Sequence, residues 1–236
     1  MFTNQWLNDH SDFVPSFGPS PLHQRALGNL PLNALTILPL CDLLPFTLPS
    51  TVVATKISWR SDPAEMIAVV DNVLAPYIVP PQGCWFRPLS WDALEQTICF
   101  SRTHRMDDVY SDGFGPGMYA SDNLGYALSL TAPGAVLMVF HNISESNAVV
   151  LDLPKVEWFR VVDKFLNVNP KNAAAGAMSL DFNNSDFIRG PVPRRLLMHG
   201  PPENQFEQSH ITQICARSRK AFAMLNSSLK AIILFE

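Results

Sequence analysis

The sequence predicts a single α+β domain built mainly from short strands. Short apolar runs at residues 135–140 and 231–235 are bounded by turn-forming or polar residues, which marks buried strands. Between such runs, apolar residues recur at helical spacing behind recognisable caps. The composition, 47% hydrophobic with 16% charged residues, belongs to a globular chain and excludes a disordered one.

Residues 1–25 are polar, carry prolines and lack periodicity, so little regular structure is expected there. The stretch from 28 to 55 is apolar but interrupted by Pro31, Pro39, Pro45 and Pro49. Proline at that density rules out a long helix, and residues 1–55 are expected to form a Pro-rich N-terminal extension to a domain at 56–236. Asp62-Pro63-Ala64-Glu65 opens a helix, with Met66, Val69, Val70, Val73 and Leu74 on one stripe and Pro76 beyond its end. Residues 84–88 form a short strand, and Ser90 or Asp92 starts a helix to about Cys99.

A second half follows the same logic. Ser121 is expected to cap a helix over 122–131 carrying Leu124, Ala127 and Leu128, which Pro133 and Gly134 end. After the strand at 135–140, residues 148–153 form another, and 154–166 an amphipathic helix with Val156, Phe159, Val162 and Phe165 inward. Residues 167–184 are expected as loop with a weak helical turn. Strands are expected at 186–190, 210–217 and 231–235, with a helix capped by Ser218 and carrying Ala221, Phe222 and Leu225 between the last two.

Charge and cysteine content narrow the function classes. A net charge of −4 without a concentrated basic cluster gives no support for a nucleic-acid surface. Cys41, Cys84, Cys99 and Cys215 are far apart, with no Cys-x-x-Cys pair, and the scattered histidines form no ligand pair. Neither zinc nor a disulfide scaffold is indicated, and no metal is expected. No signal-peptide profile or uninterrupted apolar span is read, so the expectation is a soluble cytoplasmic protein without membrane contact. The oligomeric state is left open.

The most informative stretch runs from Asp112 through Gly113, Phe114, Gly115, Pro116 and Gly117 to Met118, Tyr119 and Ala120. Glycines so spaced suit a sharp turn or close backbone contact, and a tyrosine leaving such a turn can offer its ring to a flat ligand. A glycine-rich loop with a core tyrosine is the plainer alternative. Tyr126, seven residues on, reads as packing or as a second ring.

The order of pieces is more specific than any one of them. Trp85-Phe86-Arg87, then Gly115-Pro-Gly-Met-Tyr-Ala120, then Asp186-Phe-Ile-Arg-Gly-Pro191, then Thr212-Gln-Ile-Cys-Ala-Arg217 resembles the ADP-ribosyltransferase superfamily. The branch is that of diphtheria toxin and the poly(ADP-ribose) polymerases, and the nearest likeness is to uncharacterised fungal and bacterial members. The resemblance covers residues 84–236. It implies a split, mainly antiparallel sheet flanked by helices, with NAD as substrate held in its cleft. It also implies roles: Arg87 in place of a histidine at the ribose, Tyr119 stacked on nicotinamide, and Gln213 in place of the late-strand glutamate. Arg87, Pro88, Gly115, Gly117, Tyr119 and Tyr126 are the expected NAD contacts, with Arg87, Tyr119 and Gln213 nearest the chemistry.

Breaking the nicotinamide–ribose bond builds positive charge on the sugar, which a carboxylate stabilises and an uncharged amide does not. The glutamine makes poly-chain elongation an unexpected activity. The implied function is mono-ADP-ribosyl transfer, with a possible protein acceptor, or NAD hydrolysis; the alternative is a diverged module that binds a nucleotide or protein. Glu207, Glu203 and Asp112 are the candidates for a carboxylate delivered from a loop.

Overall fold

The computed structural model describes residues 51–78, 83–90, 93–94, 113–115, 117–166, 179–195 and 206–236. The Pro-rich residues 1–50 and most of the helix expected before Cys99 lie outside these. Among the described residues the chain is a mixed α/β fold with one sheet of eight strands and five helices.

The first strand, β1 (Val53–Ile57), leads to helix α1 (Pro63–Leu74). Asp62 caps α1 as its sequence implies, accepting from the Ala64 N–H at 2.8 Å, with Pro63 in the first turn, where its missing N–H costs nothing. Strand β2 (Cys84–Ser90) follows, and the Ser90 hydroxyl accepts from the Ala93 N–H. Strand β3 (Met118–Ser121) and helix α2 (Leu124–Ser129) form the next unit. Asn123, not Ser121, caps α2, its side chain accepting from the Tyr126 N–H at 2.8 Å. Ser121 is the last residue of β3, so the helix starts later than the Ser-based reading expects.

Next come β4 (Ala135–His141), β5 (Val150–Asp152), α3 (Lys155–Leu166) and α4 (Leu180–Asn184). The chain closes with β6 (Phe187–Arg195), β7 (Phe206–Ala216), α5 (Arg219–Ser228) and β8 (Leu229–Phe235). Several strands are longer than expected, β6 and β7 most of all. β6 runs past Pro191 and Pro193 through an irregularity in its register with β7, which lets proline sit in a strand. Ser218 caps α5 as foreseen.

β1 is a strand the sequence does not lead one to expect. It pairs in parallel with β8 through Val53↔Ala231 to Ile57↔Phe235, so residues on both sides of the expected 55/56 division join one sheet. The inward stripe of α3 also differs. Trp158, Val161 and Val162 are buried, while Val156 is 69% and Phe159 40% exposed. The tryptophan sets the phase: its ring is fully buried and its indole N–H donates to the Pro191 carbonyl at 2.7 Å.

The strand order is β1-β8-β4-β2-β3-β7-β6-β5. Five of the seven neighbouring pairs are antiparallel and the two outermost, β1–β8 and β5–β6, are parallel. On one face, α1 and α2 cover the β1-β8-β4-β2 half through Met66, Val70, Phe86, Ala127 and Leu137. On the same face, α3 and α4 cover the other half through Phe114, Trp158, Val162, Phe182 and Cys215. α5 covers the opposite face, where Met118, Met138, Ile214 and Leu225 form the largest cluster.

The two halves meet at the centre of the sheet. β2 pairs with β4 over seven consecutive residues, and β3 with β7 over four, but β2 and β3 are bridged at the single pair Phe86↔Ser121.

Candidate functional site

Three adjacent strands carry the residues singled out by sequence. Arg87 and Pro88 are on β2, Tyr119 on β3 and Gln213 on β7. Residues paired across an antiparallel ladder share a face, and strand neighbours alternate. Ser121 is opposite both Phe86 and Gln213, and Tyr119 is opposite Cys215. Tyr119 and Gln213 therefore share the face covered by α3.

Arg87 does not join them there. It is opposite Met138, whose side chain belongs to the cluster beneath α5. Arg87 is 7% exposed, and its Nη1 donates to the Tyr119 backbone carbonyl at 3.0 Å. The arginine thus reaches the second strand through the backbone of the tyrosine.

The glycine turn is built around that tyrosine. The Tyr119 hydroxyl accepts from the Phe114 N–H at 2.9 Å and donates to the Gly115 carbonyl at 2.5 Å. Gly115 adopts φ +83°, a conformation costly for any other residue type, and a Cβ there would lie 2.6 Å from the Phe165 ring. At Gly117 a Cβ would meet the Cys215 Sγ at 2.3 Å and the Ala216 carbonyl at 2.6 Å. The phenol ties the turn shut, and its half-buried ring, tilted 36° to Phe114 with centroids 6.3 Å apart, packs against the cluster beneath α3.

Gln213 is 8% exposed, and its Nε2 has no hydrogen-bond partner among the described residues. The amide lies against the turn, since a Cβ on Gly113 would be 3.5 Å from that nitrogen and 2.8 Å from Pro193. Buried amides in native structures almost always find an acceptor, so this nitrogen marks a position for one.

The other sequence candidates fall elsewhere. Glu207 is not in a loop: it lies in β7 opposite Arg194, with which it forms a half-exposed ion pair at 3.4 Å. Glu203, Asp112 and Cys99 lie outside the described residues. Tyr126 is a half-buried first-turn residue of α2. Cys84 is an unfit nucleophile, its thiol pushed up to about 11 by burial and then by Asp71. No group of His, Cys, Asp or Glu suited to a metal occurs among the described residues.

Two contributors have no local sequence signal. Phe165 seals Gly115 from above and stacks on Phe182 with centroids 6.2 Å apart, which only the docking of α3 brings about. Asp122 locks β3 to β7: its N–H donates to the Thr212 carbonyl, and its Oδ1 accepts from the Thr212 N–H, each at 3.0 Å.

Fold and site together define a mixed α/β domain whose single sheet is weakly joined at its centre, with an aromatic ring and a buried amide on one side of the join. Compared with known proteins, the chain matches no family model, no curated protein and no solved structure. Among the described residues, no helix is long and apolar enough to cross a membrane.

Proposed function

We propose that the chain is an ADP-ribosyltransferase-type domain that holds NAD, or a related nucleotide, at the join between β2 and β3. The observation carrying this reading is the weak central seam, bridged only at Phe86↔Ser121, with Tyr119 and Gln213 on one face beside it. The sheet is continuous, and its sparse β2–β3 pairing between the strands bearing the first and second motifs is what supports reading it as the split sheet the sequence resemblance implies. Tyr119 supplies the ring for nicotinamide, and Gln213 supplies a donor for an oxygen of the adjoining ribose.

Two outcomes follow from such binding: mono-ADP-ribosyl transfer or NAD hydrolysis, and retention of the nucleotide without turnover. The uncharged Gln213 side chain favours retention. A neutral amide stabilises a ribosyl cation far less than a carboxylate, and one misplaced electrostatic contact in a dry site costs roughly 3 kcal/mol of transition-state stabilisation. A protein partner fits the same reading, with the nucleotide as the recognised group.

Calorimetry with NAD and a nicotinamide-release assay on the purified full chain test both parts. The expected result is saturable NAD binding that Tyr119→Ala weakens, with nicotinamide release near background. Release at enzymatic rates, abolished by Tyr119→Ala, supports the transferase or glycohydrolase reading instead. Absence of saturable binding overturns the NAD assignment altogether.

A further inference from the structure

The seam between β2 and β3 has a chemical cause. Continuing the register of Phe86↔Ser121 by two residues sets Pro88 opposite Tyr119, and no bridge forms there. Proline carries no backbone N–H, so β2 has no ladder donor to offer at that position. β2 also cannot turn this residue to an edge, because its other side is committed to β4 through Pro88↔Leu137. The Tyr119 carbonyl is met instead by the Arg87 guanidinium at 3.0 Å. A side chain thus takes the place of a backbone donor, and a guanidinium can leave a carbonyl without unzipping a strand.

We propose that Pro88 and Arg87 form a positioning pair that keeps this seam open to a nucleotide, Pro88 by withholding the ladder bond and Arg87 by satisfying Tyr119 reversibly. The inference rests on the reading of the seam as a nucleotide site and adds how that site stays accessible. It also gives the two residues roles other than direct ligand contact. Pro88 is half-buried on the Tyr119 face, whereas Arg87 is buried on the other, so the pair brackets the tyrosine backbone from both sides.

The test compares Pro88→Ala with Pro133→Ala, an exposed turn proline away from the seam, on the full chain with NAD as the probe. Loss of a proline by itself lowers stability slightly by loosening the unfolded chain. Closing the seam with a new N–H acts the other way. The expected result is a Tm for Pro88→Ala above that of Pro133→Ala, together with NAD affinity weakened about tenfold or more, a change of about 1.4 kcal/mol. A residue of merely structural importance does not raise Tm while weakening binding.

Hydrogen exchange of the wild-type chain with and without NAD reads the same strands with no substitution. Slower exchange at Arg87, Leu89 and Ser90 and at residues 118–121 on adding NAD is expected. Wild-type affinity in Pro88→Ala, or NAD protection confined to other strands, overturns the pair's role while leaving nucleotide binding intact. A wild-type chain that does not bind NAD overturns both the site and the pair.

Discussion

Arg87 and Tyr119, on neighbouring strands, are joined by a guanidinium-to-carbonyl hydrogen bond of 3.0 Å where a backbone ladder bond would otherwise lie. That contact links the two halves of the sheet beyond their one bridged pair. It puts a charged donor, buried and facing α5, in control of a strand whose side chain faces α3. Four expectations about the surrounding residues can be checked in solution.

Tyr119→Phe keeps the ring and removes the hydroxyl that bonds both Phe114 and Gly115. The Phe114 N–H then loses its acceptor in the turn, a loss worth about 1–3 kcal/mol. Urea denaturation is expected to show a destabilisation of that size. Tyr119→Ala, which also deletes buried ring surface, is expected to cost more.

Gln213→Leu removes a buried amide nitrogen that has no partner among the described residues. Leaving such a donor unsatisfied costs about 1–3 kcal/mol, so the leucine variant is expected to be at least as stable as the wild type without ligand. It is also expected to lose the rise in Tm that the proposed NAD binding predicts for the wild type, by linkage of binding to folding. Thermal melts at several NAD concentrations separate these effects, and a large drop in ligand-free Tm counts against the assignment of this nitrogen.

Gly117→Ala drives a methyl group into the Cys215 sulfur and the Ala216 carbonyl. The sulfur is removable and the carbonyl is not, because it belongs to β7. A destabilisation of about 1–3 kcal/mol is expected from the overpacking. Adding Cys215→Ala is expected to restore only part of it, which a double-mutant cycle of unfolding free energies resolves.

Asp186 fastens α5 to β6. Its carboxylate accepts from the Ser218 hydroxyl, which caps that helix, and from the Val149 N–H, with Lys220 nearby. The Ser218 bond foremost, then the Val149 bond, hold its carboxyl below the usual range. A depressed native pKa stabilises the fold fully above the unfolded value, about pH 3.9, and that contribution is lost as pH falls through the lower native value. Asp186→Asn is expected to lower Tm at neutral pH and to flatten its decline in acid. A Tm profile as steep as the wild type's below about pH 4 contradicts this.

Much of this architecture is legible from local chemistry. Asp62, Ser218 and the run at 135–140 announce themselves because caps and buried strands depend on a few neighbouring residues. The glycine turn is legible for the same reason, since Tyr119 bonds residues only four and five positions before it. The phase of α3 is not: Val156 and Phe159 compete on paper with Trp158 and Val161, and the docking of the indole on Pro191 decides between them. β1 is equally hidden, because a parallel edge strand is defined by β8, which lies far along the chain.

The amino acids alone determine that Pro88 lacks a donor, that Gln213 carries no charge and that Tyr119 leaves a glycine turn. Only the tertiary structure decides that the β2–β3 register runs on to set Pro88 across from Tyr119, that Gln213 shares the tyrosine's face, and that Arg87 does not. Alternation along a strand is a local property, but strand order and register come from packing between distant segments. Which side chains face one another is therefore settled by the sheet as a whole.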